Sequence, residues 1–336
     1  MKNHLQSGRT ATPVIARTKR SAIGLATLLV VFAGTAAAEE GGSGHYLPGS
    51  IASFIDAVPP QETFIIRLNV LNYNGAVGAN VAIPVGGMSA IGVDANSSAY
   101  GLTLAWRPPV ELGVRWSYAM SATIPYVTVD VAVNATTTLG GVPLSAARSQ
   151  RASGLGDVVL LPLMLNYNVN PDLNYNFRLA AYAPTGSYEV GRLANTGKNF
   201  WTIEPTLGLV YFGQKNGIEG ALYFGADFNQ ENPDTHYKSG TQLHLDGTLA
   251  QHFPLAGSLA GVGVSGFYYE QVTGDSGSGA TFGDFKAKSV GAGPALSYVS
   301  KLGGHDLIAE LKWLHEFETR NRLEGDTIFL KVVMKF

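Results

Sequence analysis

About twelve stretches of this sequence place apolar side chains at every second position, with polar or charged side chains between them. In the last stretch Ile328, Leu330 and Val332 share one face, while Lys331 and Lys335 share the other. A period of two is the pattern of a β-strand with one apolar face. The stretches lie near residues 63–74, 99–106, 112–129, 155–167, 173–183, 200–212, 218–228, 241–253, 259–271, 287–300, 306–318 and 326–336.

The connections between these stretches alternate in length. Five are tight turns, with the sequences RPPVE, NVNPD, GQKNG, PLAG and KLGGH. The longer polar connections lie near 75–98, 130–154, 184–199, 229–240, 272–286 and 319–325. An even strand number with short turns at one end and long loops at the other is typical of bacterial outer-membrane barrels. We therefore predict an all-β fold: a transmembrane antiparallel β-barrel of about 12 strands, with short periplasmic turns and long extracellular loops.

The first 38 residues have the order of a secretory signal. Five basic residues precede an apolar run from Ala22 to Ala33, and Ala36, Ala37 and Ala38 stand before Glu39. The run is shorter than the roughly 20 apolar residues of a spanning helix. We expect residues 1–38 to be a signal peptide cleaved after Ala38 and the protein to reach the outer membrane of a Gram-negative bacterium. The alternative is an uncleaved membrane anchor.

Composition excludes several classes of protein. The chain has no cysteine, so it has no disulfide framework and no thiol nucleophile. Removing five of the 23 basic residues with the signal, and none of the 25 acidic ones, leaves 18 against 25, a net charge of about −7. Such a charge does not favour nucleic acid as a partner. We expect contacts with outer-membrane lipid and lipopolysaccharide.

Residues 39–62 precede the first strand, and 63–336 form the expected barrel. The early segment contains His45, Tyr46, Leu47, Ile51, Phe54 and Ile55. A periplasmic tail needs little apolar surface, so we predict that the segment plugs the lumen or the periplasmic mouth. The alternative is a disordered periplasmic tail.

Strand parity predicts which polar residues face the lumen, because a slip of one residue would turn them toward lipid. They would line the pore and contact a permeant, or pair with one another and brace the barrel. The predicted set is Arg67, Asn69, Arg178, Glu204, Tyr223, Asp227, His244, Asp246, His252, Glu310, Lys312, Glu316, Lys331 and Lys335.

Aromatic residues near strand ends predict girdles at the two membrane interfaces. The set is Tyr73, Trp106, Trp116, Tyr167, Tyr175, Trp201, Tyr211, Phe212, Phe253, Tyr298 and Phe317. The terminal alternation, closing on Phe336, resembles the signature that the barrel assembly machinery reads. We expect that machinery as a partner during biogenesis.

Reactive chemistry is sparse. Outer-membrane lipases use a serine and a histidine, and the candidates here are His315 with Ser297 or Ser300, although no third group orients the histidine. Asp275 and Asp284 could hold calcium in an external loop. His244 and His252 share a face but lie about 26 Å apart on an extended strand, so the histidines show no metal-ligand spacing. We expect no catalytic residue, no metal and no cofactor.

Several segments resemble the outer-membrane family associated with the meta-cleavage pathway of phenol degradation. They are GGSGHYLPGSIASFIDAVPP at 41–60, GLGDVVLLPLMLNYN at 154–168, APTGSYEVGRLANTGKNFWTIEPTLGLVY at 183–211, NPDTHYKSGTQLHLDG at 232–247 and SVGAGPALSY at 289–298. The resemblance implies a barrel that admits aromatic or other hydrophobic compounds.

Two functions follow from these features. The first is an outer-membrane channel for passive uptake of a small hydrophobic or aromatic solute, such as a phenol-like catabolic substrate. The alternative is a structural or adhesive barrel with a closed lumen.

Overall fold

A computed structural model describes residues 43–85, 88–110, 112–139, 142–281 and 283–336. The predicted signal peptide lies outside these residues. Among them, no helix has the length and hydropathy needed to cross a bilayer. The strands are β1 (Thr63–Val85), β2 (Met88–Arg107), β3 (Trp116–Leu139), β4 (Val142–Leu155), β5 (Val158–Asn168), β6 (Leu173–Ala183), β7 (Thr202–Phe212), β8 (Ile218–Asn229), β9 (Gln242–Leu255), β10 (Ser258–Gln271), β11 (Lys288–Leu302), β12 (His305–Arg320) and β13 (Glu324–Lys335).

The strands form one closed antiparallel barrel. Each strand from β5 onward pairs with its neighbours in chain order, and β1 pairs with both β2 and β13. β3 pairs with β2 on one side, and on the other side with β5 along its first half and with β4 along its second half. β4 and β5 are therefore two parts of one wall strand, and the barrel has the twelve strands that the sequence predicts.

The break between β4 and β5 falls at Gly156 and Asp157. There the connection 184–201 folds against the wall: Gly186 and Lys198 donate backbone N–H groups to Asp157, at 2.8 and 2.7 Å. The same connection follows the free edge of β4, where Leu193 N donates to Gln150 Oε1 at 2.7 Å. A side chain at Gly156 would collide with Val127, Pro125 and Thr196, so the close approach requires glycine.

The two faces of the barrel differ as the alternation predicts. Leu102, Leu209, Leu222, Leu249, Val264 and Leu311 point outward and are 37–61% exposed. A lipid-facing surface of this kind is compatible with a bilayer because the closed ladder pairs the backbone groups around the barrel wall. The polar residues between them point inward.

The connections correct part of the prediction. The described residues of 75–98 and 130–154 lie in strands, not loops: β1 and β2 stay paired to Val85 and Met88, and β3 and β4 to Leu139 and Val142. The predicted loop 319–325 shortens to the three residues 321–323. Long connections remain at 184–201, 230–241 and 272–287. We call the end with these connections the loop end and the opposite one, with the tight turns and Phe336, the turn end.

The predicted aromatic girdles need two corrections. Trp106, Trp116, Tyr175, Phe253, Tyr298 and Phe317 are exposed on the outward face. Tyr73 instead points inward and donates its hydroxyl to Glu316 at 3.1 Å. Phe212 packs against the rings of Phe54 and His252 inside the barrel. Position near a strand end therefore does not by itself place an aromatic ring in the membrane interface; strand parity is also needed.

Candidate functional site

Residues 43–62, which we call the N-terminal segment, lie inside the barrel. Tyr46, Ala52, Ile55 and Val58 each join a different apolar cluster with inward residues of the strands. A short 3₁₀ turn at Phe54–Asp56 gives the segment its only regular structure among the described residues. Of the apolar residues on which the plug prediction rests, Tyr46 and Ile55 are thus buried against the inner wall, while Leu47 is exposed.

The centre of the lumen holds an ion cluster around Asp56. Lys331 Nζ donates to Asp56 Oδ1 and Oδ2 at 3.1 and 2.9 Å, and Arg67 Nη1 donates to Oδ1 at 3.2 Å. Arg178 donates to the Asp56 backbone carbonyl. Lys312 donates to the carbonyl of Ile51 at 3.0 Å. We call Asp56, Arg67, Arg178, Glu310, Lys312 and Lys331 the central ion cluster.

Charge balance explains why Asp56 is ionised there. Burial alone would raise the pKa of its carboxyl group, but Lys331, Arg67, Arg178 and Lys312 together hold that pKa below its ordinary value. Glu310 accepts part of the excess positive charge, lying 3.4 Å from Lys331 Nζ and 3.5 Å from Lys312 Nζ. Removing Asp56 or Glu310 would leave buried cations without a counter-charge.

A second anchor holds the other end of the N-terminal segment at the break in the wall. His45 Nε2 lies 2.9 Å from Asp157 Oδ2, and His45 Nδ1 lies 2.7 Å from Thr202 Oγ1. The His45 ring stacks on Tyr182. Burial lowers the pKa of the imidazole more than the hydrogen bond to Asp157 raises it. His45 is therefore a neutral hydrogen-bonding group at pH 7.

A third contact lies toward the turn end. Glu219 accepts the Phe54 backbone N–H at 2.8 Å through Oε1 and contacts His252 Nε2 at 2.7 Å through Oε2. Glu219 and His252 are buried and Phe54 is partly buried, with its ring packed edge-on against His252. The 3₁₀ turn is thereby fixed to β8 as well as to the central ion cluster.

Further along the wall, His244 lies among three carboxylates. Its Nδ1 donates to Asp246 at 2.8 Å, and its Nε2 lies 3.3 Å from Glu204 Oε1. Gly49 N donates to the other oxygen of Asp246 at 2.7 Å. The Tyr46 ring stacks on the His244 ring with centroids 3.6 Å apart. We call Glu204, Asp227, His244 and Asp246 the histidine–carboxylate cluster.

Two adjoining cavities lie in the lumen. β1, β2 and β3 line both of them, and β5, β6 and β7 also line one. The outer cavity, about 360 Å³, has mostly apolar walls that include Ile83, Val93, Val131 and Leu193. The inner cavity, about 380 Å³, ends at Asp56, Arg67, Arg178 and Lys331. Both are lined by Leu47, Leu71, Val127 and Phe329, so they meet there. Each volume falls in the range of small-molecule sites, about 300–1,000 Å³.

Residues 74–332 match the protein family described as "Putative MetA-pathway of phenol degradation". The chain belongs to this family. A search of curated proteins finds no match to the sequence.

Solved structures place this member of the phenol-degradation family among outer-membrane barrels. The chain is similar to the COG4313 outer membrane channel from Pseudomonas putida F1, with a TM-score of 0.63 and 14% identity over 85% of this chain and 100% of that chain. It also matches the β domain of the Bordetella autotransporter BrkA, with a TM-score of 0.45 and 12% identity over 82% and 100%. The first likeness establishes the fold.

The structure places the fourteen predicted lumen residues of this family member as follows. Eleven are buried: Arg178, Glu204, Tyr223, Asp227, His244, Asp246, His252, Glu310, Lys312, Glu316 and Lys331. Arg67, Asn69 and Lys335 are partly buried. Asn69 bonds to Thr103 at 2.9 Å, and Arg178 lies over the Tyr223 ring. Whether any of them contacts a permeant stays a prediction.

Sequence reasoning missed several residues that complete these groups. Asp56 lies in the N-terminal segment, which has no strand parity to reveal an inward side chain. Glu219 shares the polar face of β8 with Tyr223 and Asp227, so parity could have identified it. Arg322 lies in the connection 321–323, from which it reaches Glu316 at 3.6 Å. No sequence pattern predicts an ion pair between a residue of a connection and a residue of a strand.

The other chemical candidates are placed apart or are already partnered. His315 is half exposed beside Asp326, 3.1 Å away, and pairs across the sheet with Ala292. Ser297 lies five positions from Ala292 on β11, about 17 Å along an extended strand, and Ser300 lies farther. The described residues therefore do not bring either serine to His315.

The proposed calcium ligands are partnered within the protein. Tyr237 and Gln271 donate side-chain bonds to Asp275 at 2.6 Å each, and Gly240 N donates at 3.1 Å. Asp284 lies 3.3 Å from Lys286 Nζ. These contacts account for both carboxylates without an ion.

Proposed function

We propose that the protein is an outer-membrane channel that lets small hydrophobic or aromatic compounds cross by passive diffusion. The loop end would face outside and the turn end the periplasm, following the usual arrangement of such barrels. Export would use the cleaved signal peptide predicted at 1–38. Diffusion down a gradient needs no cofactor, and the proposal assigns no catalytic residue.

The proposal rests on the pair of adjoining cavities. An apolar solute entering from the loop end would first meet the apolar walls formed by Val93, Val131 and Leu193. It would then pass Leu71 and Phe329 into the inner cavity. A hydrophilic solute gains little from such walls, because apolar surface favours apolar partners.

The N-terminal segment closes this path toward the turn end. The 3₁₀ turn at Phe54–Asp56 is held by the central ion cluster and by Glu219. Passage therefore requires displacement of part of the segment, so the proposal includes an opening movement. The residues expected to control it are Asp56, Lys331 and Arg178, and the exposed outer cavity would be the site of first capture.

A second function is favoured by the same segment. Its side chains join four apolar clusters of the wall, a packing that suits a permanently closed lumen. A structural or adhesive barrel would use the connections at the loop end and would carry no solute. The two functions differ in flux, so transport measurements separate them.

Uptake by cells tests the proposal. A deletion strain and the same strain carrying the gene would be given labelled phenol, an alkylbenzene or a fatty acid, with a labelled sugar as the hydrophilic control. The proposal predicts a higher initial rate for the hydrophobic compounds only when the protein is present. If the two strains take up the compounds at the same rate while a heat-modifiable barrel is present in the membrane, the result would contradict transport and support the closed-barrel function.

Two partners are proposed for the barrel itself. The exposed apolar face would contact outer-membrane lipid, with lipopolysaccharide at the loop end. Phe336 pairs its backbone with Phe64, donating at 2.9 Å, and its side chain is 49% exposed. We expect this terminal strand to be the part that the barrel assembly machinery recognises.

A further inference from the structure

Three adjacent strands bring a histidine and two carboxylates to one point of the inner wall. Glu204 is on β7, Asp227 on β8 and His244 on β9. Their potential ligand atoms all lie within 4.8 Å of one another. The three residues are 4%, 0% and 1% exposed. The group is not visible as a spacing in the sequence because each residue comes from a different strand.

Asp227 is the member that hydrogen bonding within the barrel does not explain. Neither of its carboxylate oxygens has a donor among the described residues, although the side chain is fully buried. Glu204, by contrast, receives bonds from Thr206 at 2.8 Å and from Tyr182. Buried carboxylates without a donor are strongly disfavoured, so each one needs an explanation. A cation bound between Asp227 and its neighbours would provide that explanation.

His244 is oriented as a metal ligand is. Its Nδ1 donates to Asp246, whose other oxygen is occupied by Gly49 N. A carboxylate behind the distal nitrogen is the usual support of a ligating histidine. The arrangement leaves Nε2 beside Glu204 and Asp227 without a hydrogen-bond partner in the described residues. A lone pair facing two carboxylates is repulsive, so Nε2 carries either a proton or a metal ion.

Glycine at position 225 makes this orientation possible. Gly225 is the cross-strand partner of His244, and a Cβ there would lie 2.1 Å from Nε2. The imidazole therefore lies across the β8 backbone, next to Asp227. This close approach requires a residue without a side chain.

We propose that Glu204, Asp227 and His244 bind one divalent transition-metal ion, with zinc as the best-matched probe. One imidazole nitrogen with two carboxylate oxygens suits zinc better than the all-oxygen sites of calcium or magnesium. The 3.3 Å between His244 Nε2 and Glu204 Oε1 is close to the ligand separation of about 3.3 Å in a tetrahedral site with bonds near 2.0 Å. Asp227 needs only a side-chain adjustment to complete three protein ligands.

The ion would also stabilise the N-terminal segment. Tyr46 stacks on the His244 ring, and Gly49 bonds to the Asp246 that supports it. A bound metal fixes that ring, so it fixes the surface on which residues 46–49 lie. The metal site stands independently of transport and could exist in a barrel that conducts nothing.

The proposal is tested by zinc binding. The chain would be purified from outer membranes without an affinity tag. The protein would be stripped with a chelator in detergent and titrated with zinc by calorimetry. His236→Ala and His315→Ala would be included in every variant, because these exposed histidines stand beside carboxylates and can bind zinc by themselves. The test variants are Asp227→Asn and Glu204→Gln. The matched control is Glu219→Gln, which alters a buried carboxylate of β8 beside another histidine, His252.

The expected result is one zinc ion per chain, with affinity reduced more than about 10-fold by Asp227→Asn and by Glu204→Gln and unchanged by Glu219→Gln. The absence of stoichiometric binding, or equal affinity in all variants, would overturn the proposal. Heat-modifiable gel migration verifies that each variant is folded.

Zinc X-ray absorption on the His236→Ala, His315→Ala chain, loaded with one zinc ion, gives a second measurement that alters none of the three proposed ligands. The proposal predicts one imidazole and otherwise oxygen ligands. Two or more imidazoles would mean that zinc is held elsewhere, since the cluster contains a single histidine, and would overturn it.

Discussion

Lys331 donates to both carboxylate oxygens of Asp56, at 3.1 and 2.9 Å, across 275 residues of sequence. The contact joins the last strand of the barrel to the segment that precedes the first. Both side chains are buried, and Arg67 and Arg178 converge on the same residue. Asp56 is therefore the residue of the N-terminal segment on which three cations of the barrel wall converge.

Replacing Asp56 with asparagine is expected to loosen the N-terminal segment. The change leaves three buried cations facing a neutral group, and breaking a buried pair costs about 3–5 kcal/mol. Planar-bilayer recordings should show a higher open fraction than for the unsubstituted chain, with the barrel still heat-modifiable.

The control for Asp56→Asn is Asp130→Asn, which alters an exposed carboxylate 3.8 Å from Arg151. Exposed pairs of this kind contribute little. Equal open fractions for Asp56→Asn and Asp130→Asn would mean that the central ion cluster does not hold the segment.

Acidification is expected to release the His45 anchor. Burial lowers the pKa of His45, so its contribution to docking is full above the ordinary value of about 6.5 and is lost as pH falls below it toward the folded pKa. Asp56 does not contribute in this window, because its pKa is lowered and it stays ionised. The groups that face His45 are Asp157, Thr202, Tyr182, Phe200 and Lys198.

A single cysteine measures this release, since the chain has none of its own. Ser50→Cys should react faster with a water-soluble thiol reagent at pH 5.5 than at pH 7.5, once corrected for the intrinsic pH dependence of the reagent. The same cysteine in a His45→Gln background should show no such difference. A difference that persists without the imidazole would assign the effect to another group.

Filling the outer cavity is expected to slow uptake. Ala95 lines that cavity, and Ala95→Trp places a ring in the proposed path. Leu104→Trp changes the same strand on its outward face, where Leu104 is 45% exposed. The initial rate for a labelled aromatic should fall several-fold for the first variant only. If both variants transport equally well, the solute takes another path.

A charge on the outward face is expected to destabilise the folded barrel. Val264 lies near the middle of β10 and is 60% exposed, so Val264→Arg places a cation in the bilayer at a cost of about 2–4 kcal/mol. Urea unfolding from lipid vesicles measures the loss, with Val264→Leu as the control. Equal free energies of unfolding for the two variants would contradict the assigned lipid face.

Strand parity is the reason that the sequence predicts so much of this fold. Leu245 and Leu249 point outward while His244 and Asp246 point inward. Side chains alternate with a period of two, so a shift of one residue would exchange the two faces. The same rule misses the strands in 75–98 and 130–154, where glycine and small polar residues interrupt the alternation. Most of their described residues continue the ladder through cross-strand pairs, as Gly75 does with Ala95 and Thr136 with Ser145.

The contents of the lumen follow from contacts that no local pattern contains. His45 meets Asp157 across 112 residues, and Phe54 meets Glu219 across 165. The apolar residues of the N-terminal segment indicate burial, but not the surface that buries them. The histidine–carboxylate cluster is assembled in the same way, from three strands whose register is fixed only by the closed barrel.

Deleting residues 41–58 and recording conductance together with aromatic flux tests the central claim most directly. The account predicts that liposomes with the unsubstituted chain pass a small aromatic compound faster than protein-free liposomes, and that the deletion raises both flux and ion conductance. Flux and conductance equal to those of protein-free membranes for both chains, with both barrels folded, would contradict the claim that this lumen is a closable channel.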